Sequence, residues 1–230
     1  MTLDEWQTAC SFRDGLSMMT TILFSLMLTV MPAETGTVQG IVVCEGTSEP
    51  VSGVQITVGG GIKTVTDGAG RFVVQNTPAG STSVRAQREG YFGPAIDGDF
   101  PRSVTASVLV KASEPANLKF TLVPGGSVSG SVFDSNGKPM YDSVVGILRV
   151  VYTRGTRAVD VIEAKTSGKR GEYRLYPLPP GEYYIGVAPL ADTQTTTLYP
   201  GTTNLNLASR IVVRASEETK GVDIHLRLGK

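Results

Sequence analysis

Histidine is nearly missing from this chain: His225 is the only one among 230 residues. A hydrolytic zinc site takes about two histidines with a carboxylate, so one chain cannot build that centre. A Ser–His or Cys–His nucleophile would have to use His225 itself. It lies between Ile224 and Leu226 in an alternating run, with no repeated acid or glycine elbow to support such chemistry. Cysteine is as scarce. Only Cys10 and Cys44 occur, and removal of a leader would leave Cys44 alone, which excludes an internal disulfide. Its neighbours Ile41, Val42 and Val43 mark it as a packed strand thiol rather than a reactive one. The single tryptophan, Trp6, lies ahead of the apolar run of the leader, so no tryptophan platform for a sugar ring remains beyond it. Charge of one sign is not in excess either, with 21 Lys and Arg against 21 Asp and Glu. No global field then favours nucleic acid or an anionic membrane.

Long hydrophobic runs are confined to one place. Met18 to Met31 is continuous and apolar, ends at Pro32-Ala33, and is short for a bilayer span but suited to a signal-peptide core. Asp4, Glu5 and Asp14 outnumber Arg13 before it, an unusual flank for an export signal. Cys10 precedes the run and so cannot be a lipoprotein cysteine. Residues 1–35 are expected to form a signal or leader segment that sends the chain to the periplasm, the outer surface or the extracellular space.

What the chain does have is the same strand-and-turn pattern twice. Gly36-Thr37-Val38-Gln39-Gly40-Ile41-Val42 returns as Gly126-Ser127-Val128-Ser129-Gly130-Ser131-Val132. Asp67-Gly68-Ala69-Gly70-Arg71-Phe72 returns as Gly168-Lys169-Arg170-Gly171-Glu172-Tyr173, and Pro78-Ala79-Gly80 as Pro179-Pro180-Gly181. Val110 to Glu114 is answered by Val213 to Glu217. Such self-similarity predicts two domains, over residues 36–123 and 124–230. Between them Val123-Pro124-Gly125-Gly126 leaves almost no linker, so a semi-rigid rod is expected. At Leu228-Gly229-Lys230 a third unit would begin, leaving open a two-unit protein or the front of a longer array.

Within each unit, apolar residues alternate with polar ones, as in Val54-Ile56-Val58 and Tyr183-Ile185-Val187. Gly, Pro and Asp clusters separate these runs, and no segment beyond the leader has a helical period. Hydrophobic residues at 40% are enough to rule out disorder. The predicted fold is all-β, two tandem seven-stranded antiparallel Greek-key sandwiches. In unit two a longer hairpin is expected, with Tyr152 to Arg157 at its tip.

These residues resemble the carboxypeptidase regulatory-like domain family, with its transthyretin-like or prealbumin-like β-sandwich. The resemblance is carried by G-x-V-x-G-x-V at Gly36 and Gly126, Pro50-Val51-Ser52-Gly53-Val54, Thr66-Asp67 with Gly70 and Phe72, the turn at Gly80, and Gly90-Tyr91. Unit two departs from it, because Asp142-Ser143-Val144 replaces the glycine step and Thr166 to Tyr173 is one residue longer. The resemblance implies modules of exported and cell-surface proteins, related to carbohydrate-binding folds, while the single histidine excludes the zinc peptidase activity that the family name suggests.

No catalytic residue, metal ligand or cofactor is expected. Asp97-Gly98-Asp99 could open a calcium loop, but the remaining ligands are out of spacing, so it reads as a polar turn. Gly59-Gly60-Gly61 lacks the Lys-Ser/Thr of a phosphate loop and reads as a hairpin turn. Two binding readings remain. Tyr176, Tyr184 and Tyr199 could stack on a sugar, although adjacent Tyr183 and Tyr184 face opposite sides and at least one belongs to the core. Arg149, Arg154 and Arg157 on the long hairpin could dock a partner protein. A non-catalytic spacer or interaction module is the leading expectation, and a carbohydrate-binding module the alternative.

Overall fold

The computed structural model describes residues 34–153, 155–190 and 196–226. The leader expected over residues 1–35 lies outside them, except for Glu34 and Thr35. Among the described residues there is no α-helix, and strands carry the fold.

The first half contains β1 (Thr35–Cys44), β2 (Gln55–Val58), β3 (Ile62–Val65), β4 (Arg71–Pro78), β5 (Gly80–Gln87), β6 (Tyr91–Phe92), β7 (Val104–Val110) and β8 (Ala116–Pro124). The second contains β9 (Gly126–Phe133), β10 (Ser143–Thr153), β11 (Thr156–Thr166), β12 (Glu172–Leu178), β13 (Gly181–Pro189) and β14 (Thr197–Leu198). A short 3₁₀ turn at Leu205–Leu207 precedes β15 (Ile211–Val213), β16 (Glu218–Thr219) and β17 (Ile224–His225). One sheet of the first half runs β4-β1-β8-β6 and the other β3-β2-β5-β7. The second half pairs in the same order, with β12 and β16 flanking β9, and with β11, β10 and β13 in line beside β15.

The predicted sandwiches are therefore present, with two differences of detail. The strand number exceeds seven per half, because two-residue strands such as β6 and β14 add to the set and the closing strand of the second half is broken into β16 and β17. Pairing is also not wholly antiparallel. β8 runs parallel to β1, and β16 and β17 run parallel to β9. After β7 the chain crosses between sheets and returns beside its own first strand in the same direction, which an antiparallel hairpin cannot do.

That parallel closure explains the repeated glycines better than turn geometry does. A Cβ on Gly40 would run into the Leu118 carbonyl oxygen, and one on Gly130 into that of Val222. The two glycines hold equivalent places in β1 and β9, so the repeated G-x-V-x-G pattern records a close backbone approach rather than a turn.

Alternation then assigns the core. Val38, Val42, Val54, Ile56, Phe72, Val84, Phe120 and Leu122 are buried together in the first half. Val128, Val145, Ile147, Tyr173, Leu175, Ile185, Val187 and Ile224 form a separate cluster in the second. A third, smaller cluster of Leu148, Tyr184 and Leu198 covers the outer face of β10 and β13. Thr66 anchors the first core polar-side in: its hydroxyl donates to the Val51 carbonyl at 2.8 Å and accepts from the Val54 amide at 2.9 Å. Ser167 does the same in the second half, donating to the Met140 carbonyl and accepting from the Ser143 amide.

Candidate interaction site

A single residue, Gly125, separates β8 from β9, and the surrounding backbone clamps it. Its amide donates to the Gly90 carbonyl at 2.7 Å. A Cβ on Gly125 would lie 3.1 Å from the Gly90 oxygen, the Phe92 ring and Pro177 Cβ alike. Gly90 has φ of +81°, and the hydroxyl of Tyr176 occupies the space a Cβ would need there. Only glycine meets both demands, so residues of β6, β12 and the linker interlock.

A second contact lies beside this clamp. β10 pairs with β13 only as far as Leu148, opposite Tyr184. Beyond that point β10 and β11 continue as a two-stranded arm, because alternating Val150, Tyr152, Val159 and Val161 sustain the strands without a third partner. Arg149 is the first residue of that extension. Its Nη1 lies 2.6 Å from Asp99 Oδ1 and donates to the Gly98 carbonyl at 3.2 Å, while Nη2 lies 3.9 Å from Asp160. Its Nε is buried without a protein acceptor. Arg102 Nη2 is 3.6 Å from Glu163 on β11, and its guanidinium lies 5.4 Å from the Phe92 ring centroid. The loop after β6 is thus held by two ion pairs, one to Arg149 at the base of the arm and one to Glu163 just before it.

Between loop and arm is a cleft of about 570 Å³ whose walls include Phe92, Phe100, Pro101, Ile162, Pro179 and Tyr183. The Tyr183 hydroxyl donates to the Pro179 carbonyl at 3.0 Å. Burial pushes its pKa upward, against a smaller downward pull from Arg149. The chemistry of these groups is that of a polar seal around an apolar joint. No nucleophile with an adjacent base stands among the residues that line it.

The sequence-predicted site residues are distributed differently from the two binding readings. Arg149 is turned into the joint and not toward an outside partner. Arg154 lies outside the described residues. Arg157 is opposite Tyr152 in the arm's strand pairing. Tyr176, on β12, sits at the linker clamp, with Arg174 5.6 Å from its ring centroid. Tyr184 is buried on the outer face of β13, where Arg210 Nε donates to its hydroxyl at 3.1 Å. Tyr199 packs against the main core on the opposite face. The three tyrosines therefore share no face, and the expected sugar platform is not assembled. Tyr183 and Tyr184 do point to opposite sides, but both are buried, because the 3₁₀ segment covers the side that the alternation left exposed.

His225 is exposed at the rim and stacks on Phe133, ring centroids 5.0 Å apart. Among the described residues no group of three or more potential ligands could hold a metal ion. Asp99, of the Asp97-Gly98-Asp99 turn, serves Arg149 instead. The joint's other members, Arg102 and Glu163, were not legible as functional from sequence. The one available signal was the unusual length of the second hairpin, which had to rest on something.

No family model matches the chain, and no curated protein is similar to it. Among solved structures it is similar to the Streptococcal ancillary pilin at 16% identity and a TM-score of 0.43, over 86% of this chain and 64% of that one. It is similar to the minor pilin of Streptococcus agalactiae at 13% identity and a TM-score of 0.40, over 85% and 97%. A third likeness is to the Bacillus anthracis TIE protein, at 16% identity and a TM-score of 0.36, over 84% and 33%. The chain spans less than two thirds of the first of these and one third of the last.

Proposed function

We propose that this chain is a non-catalytic, exported spacer or interaction module, in which two sandwich domains, residues 36–123 and 124–230, are held at a fixed angle. The resemblance to carboxypeptidase regulatory-like domains, the leader-like apolar run and the separate cores all support this reading. Its protein partner would sit at the cell surface, and the module's mechanism is geometric. The domains are small enough to fold independently, yet the joint removes their relative freedom. The observation that carries the reading is the interlock at that joint, where Gly90, Gly125 and Tyr176 close one side and Arg149 with Asp99 and Gly98 the other. The charged groups Arg149 and Asp99, and Arg102 and Glu163, are paired at this joint, as a structural seal requires.

Spin labels test this. Cysteines replacing Ile62 and Val212, both exposed and in different halves, can be labelled after Cys10→Ser and Cys44→Ser substitution. Pulsed-dipolar spectroscopy is expected to give one narrow distance distribution. A broad distribution in the otherwise unaltered protein would remove the rigid-spacer reading.

A further inference from the structure

We propose that the outer face of β1, β4 and β8 binds an acidic sugar, a pyranose bearing a carboxylate, over Ile41. On β1, Ile41 pairs with Arg71 of β4 on one side and with Lys119 of β8 on the other. Directly opposed residues share a face, and strands lie about 4.8 Å apart, so the two cations rise about 10 Å from each other on either side of Ile41. Both are exposed, and among the described residues neither charged group has a partner. β1, β4, β6 and β8 contain no aspartate or glutamate, so nothing in the sheet neutralises them. Asp67, in the turn before β4, spends Oδ1 on the Ala69 and Arg71 amides. The fold does not itself require cations here. In the second half the equivalent positions are Glu172 and Asp223, whose carboxylates accept from the Arg170 and Ser131 amides.

One row along, Val73, Gln39 and Asn117 oppose one another across the same strands. Gln39 Nε2 donates to Asn117 Oδ1 at 2.9 Å, and Asn117 Nδ2 donates to the Pro115 carbonyl at 3.3 Å. That leaves Gln39 Oε1 to accept from a hydroxyl. These six residues line a hollow of about 530 Å³, within the range of about 300–1,000 Å³ that small ligands occupy. Each part selects one feature of the ligand. Arg71 and Lys119 demand negative charge, and the guanidinium fork suits a carboxylate. Ile41 and Val73, the latter 52% exposed, give an aliphatic floor for the C–H face of a ring. The amide row suits hydroxyls. No carboxylate lines the hollow to receive an ammonium group, which disfavours an amino acid. Its only aromatic, Phe72, is buried and offers no face to a nucleobase. This site goes beyond the spacer reading and does not depend on the rigidity of the joint.

Heteronuclear NMR titration of the full chain with a galacturonic acid trimer tests this. Amide signals of Gln39, Ile41, Arg71 and Lys119 are expected to shift together. Maltotriose, a neutral sugar of the same length, is expected to leave them in place. Arg71→Gln with Lys119→Gln is expected to raise the Kd at least about tenfold. Lys63→Gln with Arg85→Gln removes the same charge from exposed positions on the opposite sheet and is expected to leave the Kd unchanged. The remainder of each variant's spectrum reports that the fold is kept. No shift at the four residues overturns the proposal, as does an equal loss in both double variants, the mark of a diffuse charge effect. Maltotriose binding as tightly as the acid removes the role of the two cations. A tetraglutamate peptide binding more tightly than the acid removes the sugar, and either result also overturns the proposal.

Discussion

At the scale of single residues, the repeated glycines and the buried hydroxyls carry the fold's most specific demands. Gly40→Ala or Gly130→Ala would push a methyl group into the neighbouring parallel backbone, where no flexible side chain can yield. Overpacking of this kind should cost about 1–3 kcal/mol, read as a lowered urea midpoint. Gly68→Ala, with open space around it and no unusual backbone angle, should stay within about 0.5 kcal/mol. Thr66→Val keeps the shape but leaves the Val54 amide and Val51 carbonyl without their partner, at a cost of about 1–3 kcal/mol. Tyr173 adds a pH dependence. Its hydroxyl donates to the Val222 carbonyl, and burial, reinforced by Asp223, raises its pKa far above the ordinary 10.0. Below pH 10.0 the group is protonated in both states; above it the unfolded chain ionises first while the folded one keeps its proton. Stability should therefore fall as pH rises beyond that value, and Tyr173→Phe should flatten the decline in alkaline melting curves.

Elements repeat the same logic with exchanged parts. In the first half Asp67 Oδ1 accepts from the Ala69 and Arg71 amides, an Asx turn that the Thr66-Asp67 motif announces. The second half has no aspartate there, and Glu172 reaches back to the Arg170 amide instead. Backbone hydrogen bonds hold the Glu172 carboxyl below its ordinary range, and the Asp134 carboxyl is lowered likewise by the Lys138 amide. Depressed carboxyls stabilise the fold above their unfolded pKa and lose that contribution as pH falls through the folded value. Acid unfolding of Glu172→Gln should accordingly show a shallower pH dependence below about pH 4 than that of the parent protein. The strands and core residues were readable because period-two alternation is dictated by a buried face. The parallel closure was not, since strand direction depends on where a loop crosses between sheets. Nor was the burial of Tyr184, which depends on a distant segment folding over an otherwise exposed face. The tyrosines are spread over different faces for that reason, and Arg149 is engaged by Asp99 and the Gly98 carbonyl, partners far away in sequence that no local pattern announces.

For the whole molecule, the question is which contacts fix the joint. The Arg149–Asp99 pair has short geometry, but its aspartate is largely exposed, so by itself it contributes no more than about 1 kcal/mol. The glycine clamp is insensitive to ionic strength, and the charge-assisted hydrogen bond from the Arg149 guanidinium to the Gly98 carbonyl, with no net charge on its acceptor, is screened less than the ion pair. Raising salt to about 1 M shrinks the screening length to about 3 Å and should broaden the interspin distance only slightly. Arg149→Ala removes the ion pair, the Gly98 hydrogen bond and the side-chain packing at once, and should broaden it more. Gly90→Ala should have the largest effect, because a Cβ there displaces the Tyr176 hydroxyl and imposes a left-handed backbone on alanine. If salt alone released the joint as fully as Gly90→Ala does, electrostatics rather than backbone interlock would be setting the angle. Distance distributions of the three samples, recorded on one label pair, decide between those two accounts.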